Sequence, residues 1–310
     1  MQLKQTLTGN IERAFVKHPY GETEGTVEIH RPENIADALV SIIIPTIDKT
    51  REGFLPALLG QLAEQTFRDF EVILIIKDTR QGRAINSGVA LASGRYIVTF
   101  DDDTRLGSDD ILEKMVEQIE SHPDIGMAGV ANLVPDDASW FVRRVMRELP
   151  RRTSPIVHKI TESDMAEHPC CIIPRQLFIE IGGENEKIPR GLDPYLRREI
   201  RLAGYRVVVL PELFIHHLPP TRFSKFVKQF YRNGKMAAYV NKFYPEFVVE
   251  LTTKHGLEVP EKRSVIRRIF SYFWRILKTI CSLKLFYLSS LILYLAGYIH
   301  GVLTLKVDSV

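Results

Sequence analysis

The stretch AINSGVALASGRYIVTFDDD, residues 84–103, decides the fold. Its first ten residues read as a helix that closes at Gly94. The next six, RYIVTF, form an apolar, β-branched run of the kind found in a strand buried on both faces. Asp101, Asp102 and Asp103 then stand side by side at the carboxyl end of that strand. Three adjacent carboxylates repel one another, so the arrangement is costly unless the turn projects into water or a cation binds there.

Upstream, LVSIIIPT (39–46) and FEVILII (70–76) carry the same buried-strand signature. Between them LPALLGQLAEQTF (55–67) places Leu55, Leu58, Leu59 and Leu62 on one helical face. The order β-α-β-α-β predicts an α/β domain with a mostly parallel sheet flanked by helices, in which ligands bind at the carboxyl ends of the strands. The acidic turn lies at such an end.

Downstream, ILEKMVEQIES (111–121) reads as a helix and IGMAGVANL (125–133) as a further apolar segment. The basic stretch holding Arg143, Arg144, Arg147, Arg151 and Arg152 has no assigned structure at this level. CIIPRQLFIEIGG (171–183) leads to GLDPYLRREIRLAGYRVVVLPELFIHH (191–217): a turn, a charged helix capped by Gly204, and a last strand closing the sheet near His217. Before Leu39, only TVEIHRP (26–32) hints at a short strand.

The chain has 310 residues, 45% hydrophobic and 25% charged, which is ordinary globular composition and excludes wholesale disorder. A formal net charge of +3 is too small to argue for nucleic acid, and none is expected as a partner. Cys170, Cys171 and Cys281 lack the spacing of a zinc site or a disulfide framework, which fits a reducing compartment. The opening MQLKQTLTGNIERAF has no apolar signal core, so the catalytic part is expected to stay cytoplasmic.

The carboxyl-terminal region changes character. SVIRRIFSYFWRILKTI (264–280) reads as a basic amphipathic helix with an aromatic-rich apolar side. LFYLSSLILYLAGYIHGVLTL (285–305) carries no formal charge between Lys284 and Lys306, long enough to cross a bilayer or to lie at its surface. Basic residues ahead of it favour a cytoplasmic catalytic domain at the cell membrane. A helical hairpin packed on a soluble domain is the alternative.

VSIIIPTID, QTFRDFEVILI, AINSGVALASGRYIVTFDDD, EIGGENE, GLDPYLRREIRLAGYRVVVLPELFIHH and KQFYRNGK occur in an order that resembles a family 2 glycosyltransferase of the GT-A fold, over roughly residues 39–240. The resemblance implies a nucleoside diphosphate sugar donor, Mg2+ or Mn2+, and a glycan or lipid-linked acceptor. It also implies roles for particular residues. Thr46 and Asp48 line the nucleotide pocket, and Asp78 approaches the base or ribose. Asp101 and Asp103 form the Asp-x-Asp pair for metal and diphosphate, with Asp102 the middle position on the donor side. Asp193 is the general base. His217, or its neighbour His216, completes the metal site, and Gln229 and Arg232 face the donor phosphates. The chain departs from the family pattern at Leu192, where an acid usually precedes the base, and at Ile85, Asn233 and the IIKDTRQG segment around Asp78.

These readings divide the chain into an N-terminal extension (1–38), a GT-A domain (39–220), a helical motif and linker (221–263) and a membrane-seeking tail (264–310). The expected reaction is inverting transfer of a sugar to a hydroxyl of a membrane-associated, polyprenyl-linked or glycan acceptor. Three alternatives stay open: transfer to a polyprenyl phosphate, which scarcely needs a base; nucleotidyl transfer, for which a Lys- and Gly-rich loop after the first strand is missing; and a catalytically silent membrane adaptor.

Overall fold

The computed structural model describes residues 4–8, 24–31, 37–249 and 264–307. The greater part of the expected N-terminal extension, residues 250–263 of the expected linker and the last three residues of the tail lie outside them.

In chain order the strands are β1 (Lys4–Thr8), β2 (Thr26–His30), β3 (Val40–Thr46), β4 (Phe70–Ile76), β5 (Tyr96–Thr99), β6 (Thr104–Leu106), β7 (Ile125–Asn132), β8 (Thr161–Glu162), β9 (Cys171–Pro174) and β10 (Arg206–His217). The helices are α1 (Phe54–Ala63), α2 (Gln81–Leu91), α3 (Ile111–Ser121), α4 (Trp140–Glu148), α5 (Arg175–Glu180), α6 (Asp193–Leu202), α7 (Phe223–Phe243), α8 (Val265–Cys281) and α9 (Leu285–Thr304). The short strand foreshadowed by TVEIHRP is β2. The basic stretch of unassigned structure begins as α4, whose N-terminus is capped by the Ser139 hydroxyl.

One sheet runs in the order β1-β2-β4-β3-β5-β9-β7-β10-β6, with β8 on β10. The strands that alternate with helices, β4, β3 and β5, pair in parallel, as do β7 and β10. The sheet as a whole is mixed, which corrects the expectation that it is mostly parallel. β9 enters between β5 and β7 antiparallel to both, and β2 lies antiparallel to β4. A doubly buried strand looks the same in sequence whichever way it points, so the apolar run CIIP gives no sign of its direction.

Alternation sorts the core. Ile42, Ile44, Val72 and Leu74 join α1 and α3 on one face, while Ile43, Ile73 and Ile75 join α2, α5 and α6 on the other. Each fully buried Ile or Leu contributes roughly 1.5–3 kcal/mol, so the two faces together hold the strand ends in fixed register. α2 approaches the sheet so closely that a Cβ at Gly88 would lie 2.6 Å from Ile43 Cγ2.

α2 runs from Gln81 to Leu91 rather than to Gly94. The buried Glu71 carboxylate captures what would have been its last turn, accepting the Ser93 backbone N–H and hydroxyl at 2.8 Å and the Ser41 hydroxyl at 2.6 Å. The charged helix α6 ends as read, with Gly204 at φ +89° just past its end.

Candidate active site

β5 delivers the chain to the acidic turn at the carboxyl end of the sheet, and β10 returns beside it. Successive residues of β10 face opposite ways, which separates its two histidines. The His216 ring Nδ1 lies 2.9 Å from the Leu133 carbonyl. His217 turns to the acids: its Nε2 lies 3.4 Å from Asp101 Oδ2 and 3.2 Å from Asp103 Oδ1. One ligand atom from each of Asp101, Asp103 and His217 lies within 4.8 Å of the others. Two carboxylate oxygens and an imidazole nitrogen suit Mg2+ or Mn2+, with positions left for donor oxygens or water. These residues fit the metal that the resemblance implies.

Asp102 does different work. It is buried, accepts the Thr46 hydroxyl at 2.7 Å, and so ties the end of β3 to the turn after β5. Arg51 bridges Asp102 and Asp103, at 3.1 Å and 2.5 Å. Gln81 at the start of α2 donates to Asp101 at 3.0 Å. Burial pushes the Asp101 carboxyl up to about 6 against the pull of His217, and Asp103 pushes it further in the same direction. For Asp103 the balance falls the other way: His217 and Arg51 overcome burial and hold it down to about 2.

Asp78 lies at the end of β4, buried, gripping the Arg83 guanidinium at 2.9 Å and the Arg80 backbone N–H at 2.9 Å. Asp48 is exposed and accepts from the Thr50 backbone N–H and hydroxyl, shaping its own turn. The two residues flank Thr46 along the rim formed by the ends of β3 and β4.

Asp193 opens α6 without capping it. Its Oδ1 accepts the His168 backbone N–H at 2.8 Å. His168 belongs to the tight turn Glu167–Cys170, which Thr99 and Thr104 clamp from the acidic side through their hydroxyls, at 2.9 Å from the His168 and Pro169 carbonyls. The His168 ring is buried 2.8 Å from Glu184 and 4.0 Å from Asp193. Burial alone would lower its pKa, but those two carboxylates lift it well above the ordinary value. Asp193 itself is lowered: burial opposes ionisation, and His168 and Arg197 overcome it.

Beside His217 lies a cavity of about 240 Å³ lined by Arg152, Glu167, Pro169 and Cys170 among others. Arg152, Arg190 and Arg232 lie close enough to influence one another in series, and Arg190 and Arg152 both feel Asp101. Arg190 leaves part of its side chain in water, yet crowding around its guanidinium and repulsion from Arg232 push it down to about 10. Among the described residues none of the three makes a side-chain hydrogen bond or an ion pair. Gln229, one turn before Arg232 on α7, holds a buried Oε1 with no hydrogen-bond partner among the described residues.

Sequence reading named the acidic turn, His217 and Asp193 as candidates, and the structure brings Asp101, Asp103 and His217 together. It missed Arg51, Arg152, Arg190 and the His168–Glu184 pair. Arg51 stood only three residues beyond Asp48, and the basic cluster around Arg152 was visible without a site to attach it to.

A mixed sheet flanked by helices, with an acidic turn at the end of a central strand facing a histidine on the last one, is the arrangement of a GT-A fold. Residues 75–182 match the family model "Glycosyl transferase family 2", and the chain is an enzyme of the glycosyltransferase class. The matched stretch includes Asp78 and the whole acidic turn and stops before Asp193. An "uncharacterized glycosyltransferase" of Haemophilus influenzae is 22% identical over 82% of this chain and 95% of its own length. Among solved structures, the mannosyltransferase PcManGT from Pyrobaculum calidifontis, in complex with GDP-Man and Mn2+, shares the fold. Its TM-score is 0.53 at 12% identity, covering 87% of this chain and 90% of that one. The S. aureus TarS fragment 1–349 in complex with UDP-GlcNAc gives a TM-score of 0.45 at 14% identity over 66% of each chain.

Proposed function

We propose that the protein is a metal-dependent, inverting glycosyltransferase that moves a sugar from a nucleoside diphosphate to a hydroxyl of a membrane-associated acceptor. The convergence of Asp101, Asp103 and His217 on one point beside three arginines carries the reading. A bound Mg2+ or Mn2+ supplies positive charge to the departing nucleoside diphosphate. Arg232 and Gln229 on α7, with Arg152 and Arg190, hold the same phosphates. Thr46, Asp48 and Asp78 line the nucleotide end, and Asp102 braces it through Thr46. The mannosyltransferase neighbour's complex with GDP-Man and Mn2+ supports a donor and metal of these classes.

Asp193 takes the proton from the acceptor hydroxyl as its oxygen attacks the anomeric carbon. The bond from that carbon to the diphosphate oxygen breaks, and one displacement inverts the configuration. The low pKa of Asp193 keeps it ionised and ready to accept a proton.

The exposed apolar sides of α8 and α9 support a membrane location, and the basic residues ahead of α9 favour the cytoplasmic side, where a polyprenyl-linked glycan intermediate is a fitting acceptor. The test is turnover of UDP-, GDP- and dTDP-sugars by the intact protein, with and without Mn2+ or Mg2+, scored on lipid-linked and soluble glycan acceptors. Metal-dependent transfer with an inverted product anomer is expected. Metal-independent turnover, or a retained anomer, overturns the reading.

A further inference from the structure

By length and composition α9 is able to cross a membrane: it has 20 residues, about 30 Å at 1.5 Å each. Its packing tells another story. α9 runs parallel to α7 along its whole length, from a Phe226–Phe286 ring contact at 6.2 Å to hydrogen bonds from Lys242 Nζ to the Val302 and Leu305 carbonyls at 3.0 Å. Between those ends the seam is backbone on backbone. A Cβ at Gly297 would lie 2.0 Å from the Tyr231 carbonyl oxygen, and one at Gly234 would strike the Tyr294 carbonyl. The Tyr231 hydroxyl bonds the His300 ring across the seam.

Both ends of α9 are tied to neighbouring helices by charged groups. At the N-terminus the buried Glu148 of α4 accepts the Phe286 N–H at 2.8 Å while Arg144 holds its other oxygen at 2.6 Å. At the C-terminus the tie is Lys242. A spanning helix has its two ends on opposite sides of roughly 30 Å of hydrocarbon. To span in this packing, α9 would have to draw in α7 with Lys225, Lys228, Arg232, Lys235 and Lys242, and a cation in mid-membrane is strongly disfavoured.

The apolar surface that remains faces outward. Ile269, Phe270, Phe273 and Trp274 on α8 and Ile292 and Leu303 on α9 are each more than half exposed. Exposed Arg267, Arg275 and Lys278 stand on α8 beside its apolar face. Apolar and aromatic side chains with basic neighbours complement the boundary between acyl chains and anionic headgroups.

We propose that α8 and α9 form a monotopic mount, seated in one leaflet of a membrane containing anionic lipid and never crossing it. The inference rests on the membrane reading above and deepens it. α7 is then the beam that joins the lipid surface to Arg232 and Gln229, so the mount sets the height of the donor site above the headgroups.

The test uses the intact chain expressed in a bacterial host and a membrane-impermeant maleimide. Exposed Cys281 marks the α8 end of α9, and Val307→Cys in a Cys281→Ser background marks the other; Cys170 and Cys171 are buried. In inverted inner-membrane vesicles both positions are expected to react, and in intact spheroplasts neither. Reaction of one position only from the outer side overturns the proposal.

Flotation of the purified protein gives the second readout. Vesicles with about a quarter phosphatidylglycerol are expected to bind roughly tenfold more protein than phosphatidylcholine alone, and Arg267→Glu/Arg275→Glu/Lys278→Glu to remove the difference. Equal binding to both vesicles, or a dimer in sedimentation with no vesicle binding, overturns it in favour of a neutral surface or a second copy. Labelling and flotation do not depend on turnover, so loss of the transferase reading would leave these results standing.

Discussion

His168 holds Asp193 twice, by a backbone N–H donated to Oδ1 at 2.8 Å and by a buried ring 4.0 Å from the same oxygen. The carboxylate is thus held in place by an element outside its own helix. Asp193→Asn keeps an acceptor for that N–H and removes only the basic oxygen. We expect its melting temperature to fall modestly, because the charge beside His168 and Arg197 is lost, while kcat falls about 10²–10⁴-fold, the usual worth of a general base. Nucleoside diphosphate affinity should not change, and calorimetric titration checks that. A variant that loses donor binding along with kcat assigns Asp193 to the donor side instead.

The His168–Glu184 pair makes stability depend on pH. The folded pKa of His168 lies well above its unfolded value near 6.5. The folded state therefore binds the proton more tightly, and the pair's full contribution is present below about pH 6.5. It fades as pH rises toward the folded value. His168→Gln leaves Glu184 buried without its cation, a loss of about 3 kcal/mol at acidic to neutral pH. Denaturant melts across pH 5.5–9 should show the gap between wild type and variant narrowing toward the alkaline end. A constant gap would mean that His168 is neutral in the folded protein.

Arg190 is repelled by Arg232 and Arg152, a cost that a bound anion would offset. Arg190→Gln should therefore weaken nucleoside diphosphate binding roughly tenfold, about one charge-assisted hydrogen bond. Its melting temperature without donor should be unchanged or slightly higher. A residue kept for structure would give the opposite pattern, with stability falling and affinity steady.

The fold was legible where packing dictates sequence. Ile42–Ile44 and Val72–Ile75 are apolar on successive residues because both faces of the sheet are covered, and that run announces a buried strand. His217 was legible only through the resemblance to family 2 glycosyltransferases, since a lone histidine at a strand end announces no partner by itself. The antiparallel entry of β9 was not, since direction leaves no trace in an apolar run. Nor was the His168–Glu184 pair: the two residues stand 16 positions apart, in the segments before β9 and after α5, and a lone histidine before a proline announces no partner. α9 shows the same limit. Its composition permits a membrane span, and only the glycine seam with α7 and the charged ties at both ends tell against one.

That seam can be tested by one methyl group. Gly297→Ala would put a Cβ 2.0 Å from the Tyr231 carbonyl oxygen, a backbone atom that cannot rotate away. The helices must separate, at a cost of about 1–3 kcal/mol or somewhat more. Because α7 carries Arg232, parting the seam should also raise the KM for donor while leaving the metal requirement unchanged. Gly60→Ala is the control: it lies in the exposed interior of α1, and nothing stands within 4 Å of the place its new methyl group would take. There the methyl group should stabilise by about 0.5–1 kcal/mol through the unfolded state. If the two variants melt alike, α7 and α9 are not in backbone contact in solution, and Arg232 is free of the tail.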